Sequence, residues 1–285
     1  MREHPELEAA AEARLLKHFY LPRRVPMLDA RDAPEAAIAL DEQGFELCGS
    51  PTQMACSDIY RRQALIDTYL PECEALVRKA TGGTRVIAAK YVVRNRSRPG
   101  EASGYVEHRP HVDYTLASAP QNVRSLLAED PLTEEVLTAH RYMLVNVWRR
   151  WDGGNDWPLA CCSCKTFDYH RDTVGTDLVY RDRTAESYAV CASDAHKYYW
   201  YRDMAQDEAL LIKLYDSEEG VARGSLHTAF QVEHAPDAPA PSRESIEVRC
   251  IVLFGPEELV EQAGLRAGSP VSTVDASADR GNLYS

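Results

Sequence analysis

The chain has 285 residues, a formal net charge of −12 and no long run of Lys or Arg. Its length is enough for a substantial buried core, and β-barrel domains often reach this size as a single unit. The acidic balance argues against nucleic acid as a partner. No segment approaches the roughly 20 apolar residues of a membrane span, and the charged N-terminus lacks a secretory signal. We therefore expect a cytoplasmic protein that contacts no membrane.

Eight cysteines raise the question of a structural zinc site. Only Cys161, Cys162 and Cys164 are close together, and their spacing is too tight for paired Cys-x-x-Cys ligands. We interpret the cysteines as reduced thiols, several of them buried as small apolar residues.

The first part of the chain, residues 1–83, is predicted to be a helical flank. Apolar residues recur at helical spacing over residues 7–15, and a second helix is expected to open at Pro34 and end before Gly44. The strongest helical pattern covers residues 57–81 and stops at two glycines. Pro71 is expected to kink or split that helix, because proline lacks the N–H group that an internal turn needs.

From residue 84 the pattern changes to short strands rich in β-branched and aromatic residues. Eight or so such strands, interrupted by a helical insert at 118–140, fit a double-stranded β-helix, also called a jelly-roll barrel. We predict a mainly β fold with flanking helices, in which residues 1–255 form one domain and 84–255 its core. Residues 256–285 are expected to form a short helix and a loose tail.

A His-x-Asp triplet, His111-Val-Asp113, is the strongest candidate for a metal site. Alternate residues of a strand point to the same side, so both side chains can face one ion. A third ligand can come from a distant strand, and His227 in a second polar segment is the candidate. Two histidines and one carboxylate with open positions are typical of non-haem Fe(II) oxygenases. His108 has an odd spacing to Asp113 and is interpreted as a loop or pocket residue.

Arg243 and Ser245 stand at the start of a strand, sixteen residues after His227. A guanidinium and a hydroxyl placed together can bind a carboxylate, because Arg makes planar bidentate contacts to it. Arg249 is a rival, since residues 243, 245, 247 and 249 share one face of a regular strand. The alternative for Arg249 is a polar network with Glu247 inside the barrel, and the sequence leaves both assignments open.

Several residues are candidates for contact with a substrate. Asn146 and Trp148 share a strand face, which suits a pocket with one amide and one flat wall. Arg149 either binds a substrate carboxylate or lies at the surface. Core packing is the competing interpretation for the aromatic side chains. The full set of substrate candidates is Tyr105, Arg109, Asn146, Trp148 and Arg149.

Many short motifs, in one order from about Tyr91 to Phe254, resemble one group of Fe(II)/2-oxoglutarate-dependent oxygenases. The group is typified by the cephamycin methoxylation protein, gibberellin-desaturase-like enzymes and the fungal aziridine-forming oxygenases. In one departure from the group, Arg150 stands where the family usually has Pro. The motifs are His111-Val-Asp113-Tyr114-Thr115, Asn146-Val-Trp148-Arg149, Asp177-Leu-Val-Tyr180, Trp200-Tyr201-Arg202-Asp203-Met204, Asp207-Glu208-Ala-Leu-Leu-Ile-Lys213, Tyr215-Asp216-Ser217, His227-Thr-Ala-Phe230 and Arg243-Glu-Ser-Ile-Glu-Val-Arg249.

The resemblance implies a jelly-roll enzyme that uses Fe(II), 2-oxoglutarate and O2 on a small molecule of specialised metabolism. It implies hydroxylation, desaturation or oxidative cyclisation through an Fe(IV)-oxo species, with release of succinate and CO2. The sequence leaves two alternatives open: an iron oxygenase that needs no 2-oxoglutarate, and a non-catalytic accessory subunit that binds a metabolite. A homodimer is also compatible with the sequence.

Overall fold

The fold is described from a computed structural model. The residues it describes are 21–33, 38–95, 107–127, 131–152, 154, 157–179, 184–232, 243–261 and 272–273. The predicted helix at 7–15, the predicted helix start at Pro34, the substrate candidate Tyr105 and most of the C-terminal tail lie outside these residues. No helix in the described ranges is long and apolar enough to cross a membrane.

The described helices are short apart from three. Three 3₁₀ turns cover Ala30–Asp32, Cys56–Tyr60 and Cys164–Thr166, and one π-helical turn covers Leu65–Tyr69. The α-helices are α1 Leu40–Gln43, α2 Arg62–Ala64, α3 Leu70–Thr81, α4 Ser118–Leu126, α5 Pro131–Ala139, α6 Tyr169–Asp172 and α7 Glu257–Val260.

The long helical pattern at residues 57–81 is split where the sequence predicts. The π-helical turn Leu65–Tyr69 comes immediately before Pro71, which is in the first turn of α3. Proline has no N–H to donate and its ring crowds the preceding turn, so the backbone widens there. Gly82 ends α3 with φ of 70°, a left-handed conformation that suits glycine.

The strands are β1 Met27–Asp29, β2 Phe45–Gly49, β3 Arg85–Asn95, β4 His111–Val112, β5 Tyr142–Asp152, β6 Leu159–Cys162, β7 Thr173–Val179, β8 Thr184–Val190, β9 Tyr198–Trp200, β10 Glu208–Asp216, β11 His227–Ala229, β12 Glu244–Leu253 and β13 Ser272–Thr273. They form two sheets. One has the order β1-β9-β6-β11-β4-β8-β7, and the other β13-β3-β12-β5-β10-β2. The predicted mainly β jelly roll with flanking helices is confirmed.

The six-stranded sheet is buried on both faces. On its outer face, Val248 and Cys250 belong to a core cluster with Val77 of helix α3. On its inner face, Leu144 and Ile212 pack in a second cluster that also includes Cys161 of the seven-stranded sheet and side chains of α4 and α5. Successive residues of a strand point to opposite faces, so β5, β10 and β12 contribute to both clusters. The predicted insert at 118–140 thus supplies the helices α4 and α5 that pack beside the inner face.

The N-terminal flank is not wholly helical, which corrects the sequence prediction for residues 1–83. Strand β1 pairs in parallel with β9, and β2 pairs antiparallel with β10, so each joins one of the sheets. Both strands are five residues or shorter, which is too short for a clear alternating pattern. Phe45 and Leu47 pack on the inner cluster, which favours a strand over continuation of the helix.

Candidate metal and cosubstrate site

Two histidines from distant parts of the chain face each other across neighbouring strands. His227 of β11 pairs directly with His111 of β4, and their ring centroids are 4.4 Å apart. Asp113 follows His111 by two residues, at the end of the same short strand. The ligand atoms of the three side chains all lie within 4.8 Å of one another. The structure thus brings together the three residues that the sequence selects.

The backbone sets the orientation of both rings. Nδ1 of His111 lies 2.9 Å from the carbonyl oxygen of Arg109, and Nδ1 of His227 lies 3.2 Å from that of Ser225. A carbonyl oxygen only accepts hydrogen bonds, so Nδ1 carries the proton in each ring. The Nε2 lone pairs are then left for a metal, and Nε2 lies 3.3 Å (His111) and 4.0 Å (His227) from Oδ1 of Asp113.

The two carboxylate oxygens of Asp113 have different surroundings. Oδ1 faces the histidines, whereas Oδ2 accepts hydrogen bonds from Nδ2 of Asn146 at 3.1 Å and from Nη2 of Arg249 at 3.0 Å. Burial alone would raise the pKa of Asp113, but the charge of Arg249 holds that pKa well below its ordinary value. The carboxylate is therefore ionised and able to bind a cation.

Arg249 lies in the polar network that the sequence left as one of two assignments. Besides Asp113, its guanidinium contacts Glu247 at 3.4 Å and lies 5.6 Å from the ring centroid of Tyr114. An inward-facing charge needs such partners, because burial without them costs several kcal/mol. Arg249 thus contacts Asp113, the carboxylate that faces the two histidines. It stands on the same face of β12 as Ser245 and Glu247.

Arg243 and Ser245 lie at the other end of that face. The Arg243 side chain, 3% exposed, donates to the carbonyl oxygen of Trp157 and lies over the ring of Trp148, 5.5 Å from its centroid. Ser245 is 1% exposed, and its hydroxyl has no hydrogen-bond partner within the described part of the chain. A buried hydroxyl without a partner costs about 1–3 kcal/mol. A polar ligand at this position would remove that cost.

One cleft of about 340 Å³, measured to its open mouth, contains both ends of the site. Arginines, carboxylates and apolar side chains all contribute to its lining. Its lining residues are Arg94, Glu107, His111, Asp113, Trp148, Leu159, His227, Ala229, Arg243 and Glu247.

The substrate candidates on β5 lie on opposite faces of the strand, because successive residues alternate in direction. Trp148 lies on the inner face of β5 and lines both the cleft and a neighbouring apolar cavity. Arg149 points to the outer face, where it bonds to the Tyr69 hydroxyl at 3.1 Å and the Ser50 hydroxyl at 3.0 Å. The structure therefore does not bring Arg149 to the site. Arg150, which the sequence analysis did not select as a substrate residue, lines the apolar cavity instead.

Two further residues near the triplet, Arg109 and His108, have partners close to the three candidate ligands. The Arg109 side chain pairs with Glu107 at 3.0 Å, while its carbonyl oxygen orients His111. His108 lies with its ring centroid 6.0 Å from that of Trp157 and is not part of the three-residue group, as the sequence predicts. Alternation along β5 would have placed Arg150 on the same face as Trp148. No sequence signal indicates that the carbonyl oxygen of Arg109 orients His111.

A jelly roll that places two histidines and a carboxylate on neighbouring strands, with a basic residue across the cleft, has the architecture of a non-haem iron oxygenase. Comparison with known proteins gives the same class. The family described as "Oxidoreductase/YMDC permease-like domain" matches residues 5–253, and the chain belongs to this family.

The curated relatives are fungal enzymes. The chain is 28% identical to the hydroxylase/desaturase efuI of Hormonema carpetanum, over 79% of this chain and 81% of that protein. It is 28% identical to the Fe(II)/2-oxoglutarate-dependent dioxygenase nvfI of Aspergillus novofumigatus, over 83% of this chain and 85% of that protein. A solved structure titled iron and alpha-ketoglutarate-dependent endoperoxidase NvfI superposes with a TM-score of 0.69 at 26% identity, covering 83% of this chain and 87% of the other. The suspected membership of the Fe(II)/2-oxoglutarate oxygenases is confirmed.

Proposed function

We propose that this chain is an Fe(II)/2-oxoglutarate-dependent oxygenase of secondary metabolism in which His111, Asp113 and His227 bind the iron. The observation that carries the proposal is the convergence of these three side chains within 4.8 Å, with both Nε2 atoms directed at one carboxylate oxygen. Two imidazoles and a carboxylate suit Fe(II), and three ligands on one side leave positions open.

Arg243 and Ser245 bind the distal carboxylate of 2-oxoglutarate in this proposal. The guanidinium supplies charge and two parallel donors, and the buried Ser245 hydroxyl gains the partner that it lacks within the described residues. Trp148, under the Arg243 guanidinium, fixes its plane and closes one wall of the cleft. A cosubstrate held there would have its keto acid in the part of the cleft lined by His111 and His227.

The bound iron and 2-oxoglutarate supply an oxidant for a C–H bond of the substrate. The cavity in which the substrate would lie is lined mostly by apolar side chains, including Trp148, Leu159, Tyr201 and Met204, and by the charged Arg150. Such walls bind an apolar small molecule and exclude water from its reacting carbon. Asn146 and Arg109 act close to the metal rather than on the substrate, and Arg150 stands at the substrate side.

We further propose that residues 1–255 form one oxygenase domain followed by a short helix and tail over 256–285, from which Val260 and strand β13 pack on that domain, and that the enzyme works in the cytoplasm. The two cores on either side of the six-stranded sheet support a single unit, because β5, β10 and β12 contribute to both. Assembly as a homodimer stays a prediction.

Anaerobic titration tests the proposed site. Fe(II) followed by 2-oxoglutarate is added to the purified protein, and the weak visible charge-transfer band of a chelated 2-oxo acid is recorded. The band should need both additions and should vanish in His111→Ala and His227→Ala. His108→Ala is the matched control, because this histidine is adjacent in sequence but outside the three-residue group, and it should retain the band.

Two results would favour the alternatives. Tight metal binding without a band, together with turnover that needs no 2-oxoglutarate and survives Arg243→Ala, would indicate an iron oxygenase that uses O2 alone. A protein that binds no divalent metal and releases no succinate from 2-oxoglutarate would support the accessory-subunit interpretation.

A further inference from the structure

Asp113 reaches the candidate metal position with only one of its two oxygens. Oδ2 is engaged by two N–H donors, at 3.1 Å from Asn146 and 3.0 Å from Arg249, while Oδ1 is the oxygen nearer the His111 ring, at 3.3 Å from Nε2. A carboxylate without such partners could rotate and present both oxygens to a cation. Here rotation would break two hydrogen bonds, each strengthened by the negative charge of the acceptor.

The two donors lie on the two central strands of the six-stranded sheet, and the pairing of β12 with β3 shifts register immediately after Arg249. Asn146 of β5 and Arg249 of β12 are directly paired on neighbouring strands in the middle of the six-stranded sheet. Asn146 is fully buried, with 0% exposure. Their shared partner, Asp113, follows β4 of the opposite sheet. The donor pair therefore links Asp113, which follows a strand of one sheet, to the central strands of the other sheet.

Resting on the proposed function, we propose that Asn146 and Arg249 are positioning residues that hold Asp113 as a one-oxygen ligand of the metal. By keeping Oδ2 away from the ion, they preserve an open position on the metal for the cosubstrate or O2. This reassigns Asn146, which the sequence suggested as a substrate contact. It also separates two arginines at opposite ends of one strand face: Arg243 acts on the cosubstrate and Arg249 acts through Asp113.

The surroundings of Arg249 support this separation. Its guanidinium lies between the carboxylates of Asp113 and Glu247, at 3.0 Å and 3.4 Å, and near the Tyr114 hydroxyl at 3.5 Å. Two carboxylates around one guanidinium make a poor receptor for a further carboxylate, because like charges repel. The Arg243 guanidinium instead contacts a neutral carbonyl and the face of the Trp148 ring.

Binding of Co(II), in place of iron, tests the positioning role without enzyme turnover. Two charge-conserving variants avoid a change in the field at the ion: Asn146→Leu removes the amide donor, and Arg249→Lys keeps the cation but loses the planar donor pair. Loss of a group that orients a metal ligand typically weakens metal binding about 10- to 100-fold. We expect that range for Asn146→Leu and about 10-fold for Arg249→Lys. The visible spectrum of bound Co(II) should also change, since it depends on ligand number and geometry.

Arg31→Lys is the matched control, because Arg31 pairs with Glu208 at 2.6 Å at the edge of the barrel, outside the cleft. It should bind Co(II) as the unaltered protein does. Circular dichroism verifies that each variant is folded. Wild-type Co(II) affinity and spectrum in both folded variants would overturn the inference while leaving the proposed function intact. So would an Arg249→Lys protein that keeps Co(II) affinity but needs much more 2-oxoglutarate. Absence of Co(II) binding by the unaltered protein would instead contradict the metal site itself.

Discussion

At the scale of single residues, the site is defined by which polar atoms already have partners. Oδ2 of Asp113 has two hydrogen bonds, and Nδ1 of each histidine faces a backbone carbonyl. The Ser245 hydroxyl, by contrast, is buried without a partner in the described ranges. Oδ1 and the two Nε2 atoms are therefore left for a metal, and Ser245 marks a place for a polar ligand.

Arg243→Gln should weaken 2-oxoglutarate binding selectively. The variant loses a charged donor that contributes about 3 kcal/mol to a carboxylate contact, which corresponds to a roughly hundredfold rise in Kd. Metal affinity should be unchanged, because Arg243 lies at the far end of the cleft from the group of three candidate ligands. Titration of the charge-transfer band with 2-oxoglutarate at saturating Fe(II) measures the effect. Equal affinity in the variant and the unaltered protein would contradict the assignment, and Arg31→Gln serves as the control.

Sequence reasoning identified His111 and Asp113 because alternation along a strand is a local property that needs no tertiary information, whereas His227 was selected from a second polar segment and from the family-like motifs. The same rule separates Arg149 from Asn146 and Trp148, since odd and even positions of β5 face opposite sides. It could not identify the partner of Asn146. That partner, Asp113, lies 33 positions away and follows a strand of the other sheet, so only the folded chain brings the amide to the carboxylate.

At the scale of elements, strand β2 is bounded by two glycines with different constraints. Gly44 has φ of 88°, and a Cβ there would lie 3.0 Å from the Gly224 carbonyl oxygen. Its own carbonyl accepts from the Lys213 amide at 2.8 Å, which docks the start of β2 on β10. Gly49, at the other end, lies outside the left-handed region and has open space where a Cβ would stand.

Gly44→Ala should therefore destabilise the protein, whereas Gly49→Ala should not. A left-handed non-glycine residue costs about 1–3 kcal/mol, and the contact with Gly224 adds to that strain. We expect the Gly49→Ala variant to remain within about 0.5 kcal/mol of the unaltered protein. Urea denaturation of the two variants side by side measures the difference. Equal stability of both would show that the Gly44 turn is not constrained as described.

Elements with a long periodic pattern were predictable, and short ones were not. The pattern over residues 57–81 predicts α3, its termination at Gly82 and the irregular turn before Pro71. Strands β1 and β2 carry three and five residues, so their character comes from pairing with β9 and β10 rather than from their own sequence. Tertiary pairing overrides weak local preference in such segments.

At the scale of the whole molecule, acid stability depends on buried carboxylates as well as on net charge. Asp172, 3% exposed, accepts hydrogen bonds from Arg171 at 2.6 Å and from the Asp168 amide at 2.9 Å, and lies 3.2 Å from Nε2 of His196. The hydrogen bond from Arg171 is the largest cause that holds the pKa of Asp172 well below its ordinary value, against the opposing effect of burial. The stability it contributes is present above the unfolded carboxyl pKa of about 3.9 and is lost as pH falls below it.

Asp172→Asn should lower the free energy of unfolding at pH 7 by about 1–3 kcal/mol, because charge-assisted hydrogen bonds are lost from a buried position. The difference in the free energy of unfolding between the variant and the unaltered protein should shrink as pH falls below about 4, because the stability that the native carboxylate contributes is lost there. Denaturation curves at pH 7 and in the acid range measure both. Asp177→Asn, at an exposed position of β7, is the control and should show neither effect. A deficit independent of pH would contradict the assigned ionisation.

Because His111 pairs directly with His227, the amount of iron that the protein can bind depends on the register between strands β4 and β11. A slip of one residue between β4 and β11 would turn one imidazole to the opposite side of its strand and leave the ion with two ligands. The two histidines are 116 positions apart in the chain, so they meet only when β4 and β11 pair within the seven-stranded sheet. The fraction of a preparation that takes up one equivalent of metal therefore counts the molecules in which β4 and β11 are paired in the correct register, independently of any substrate.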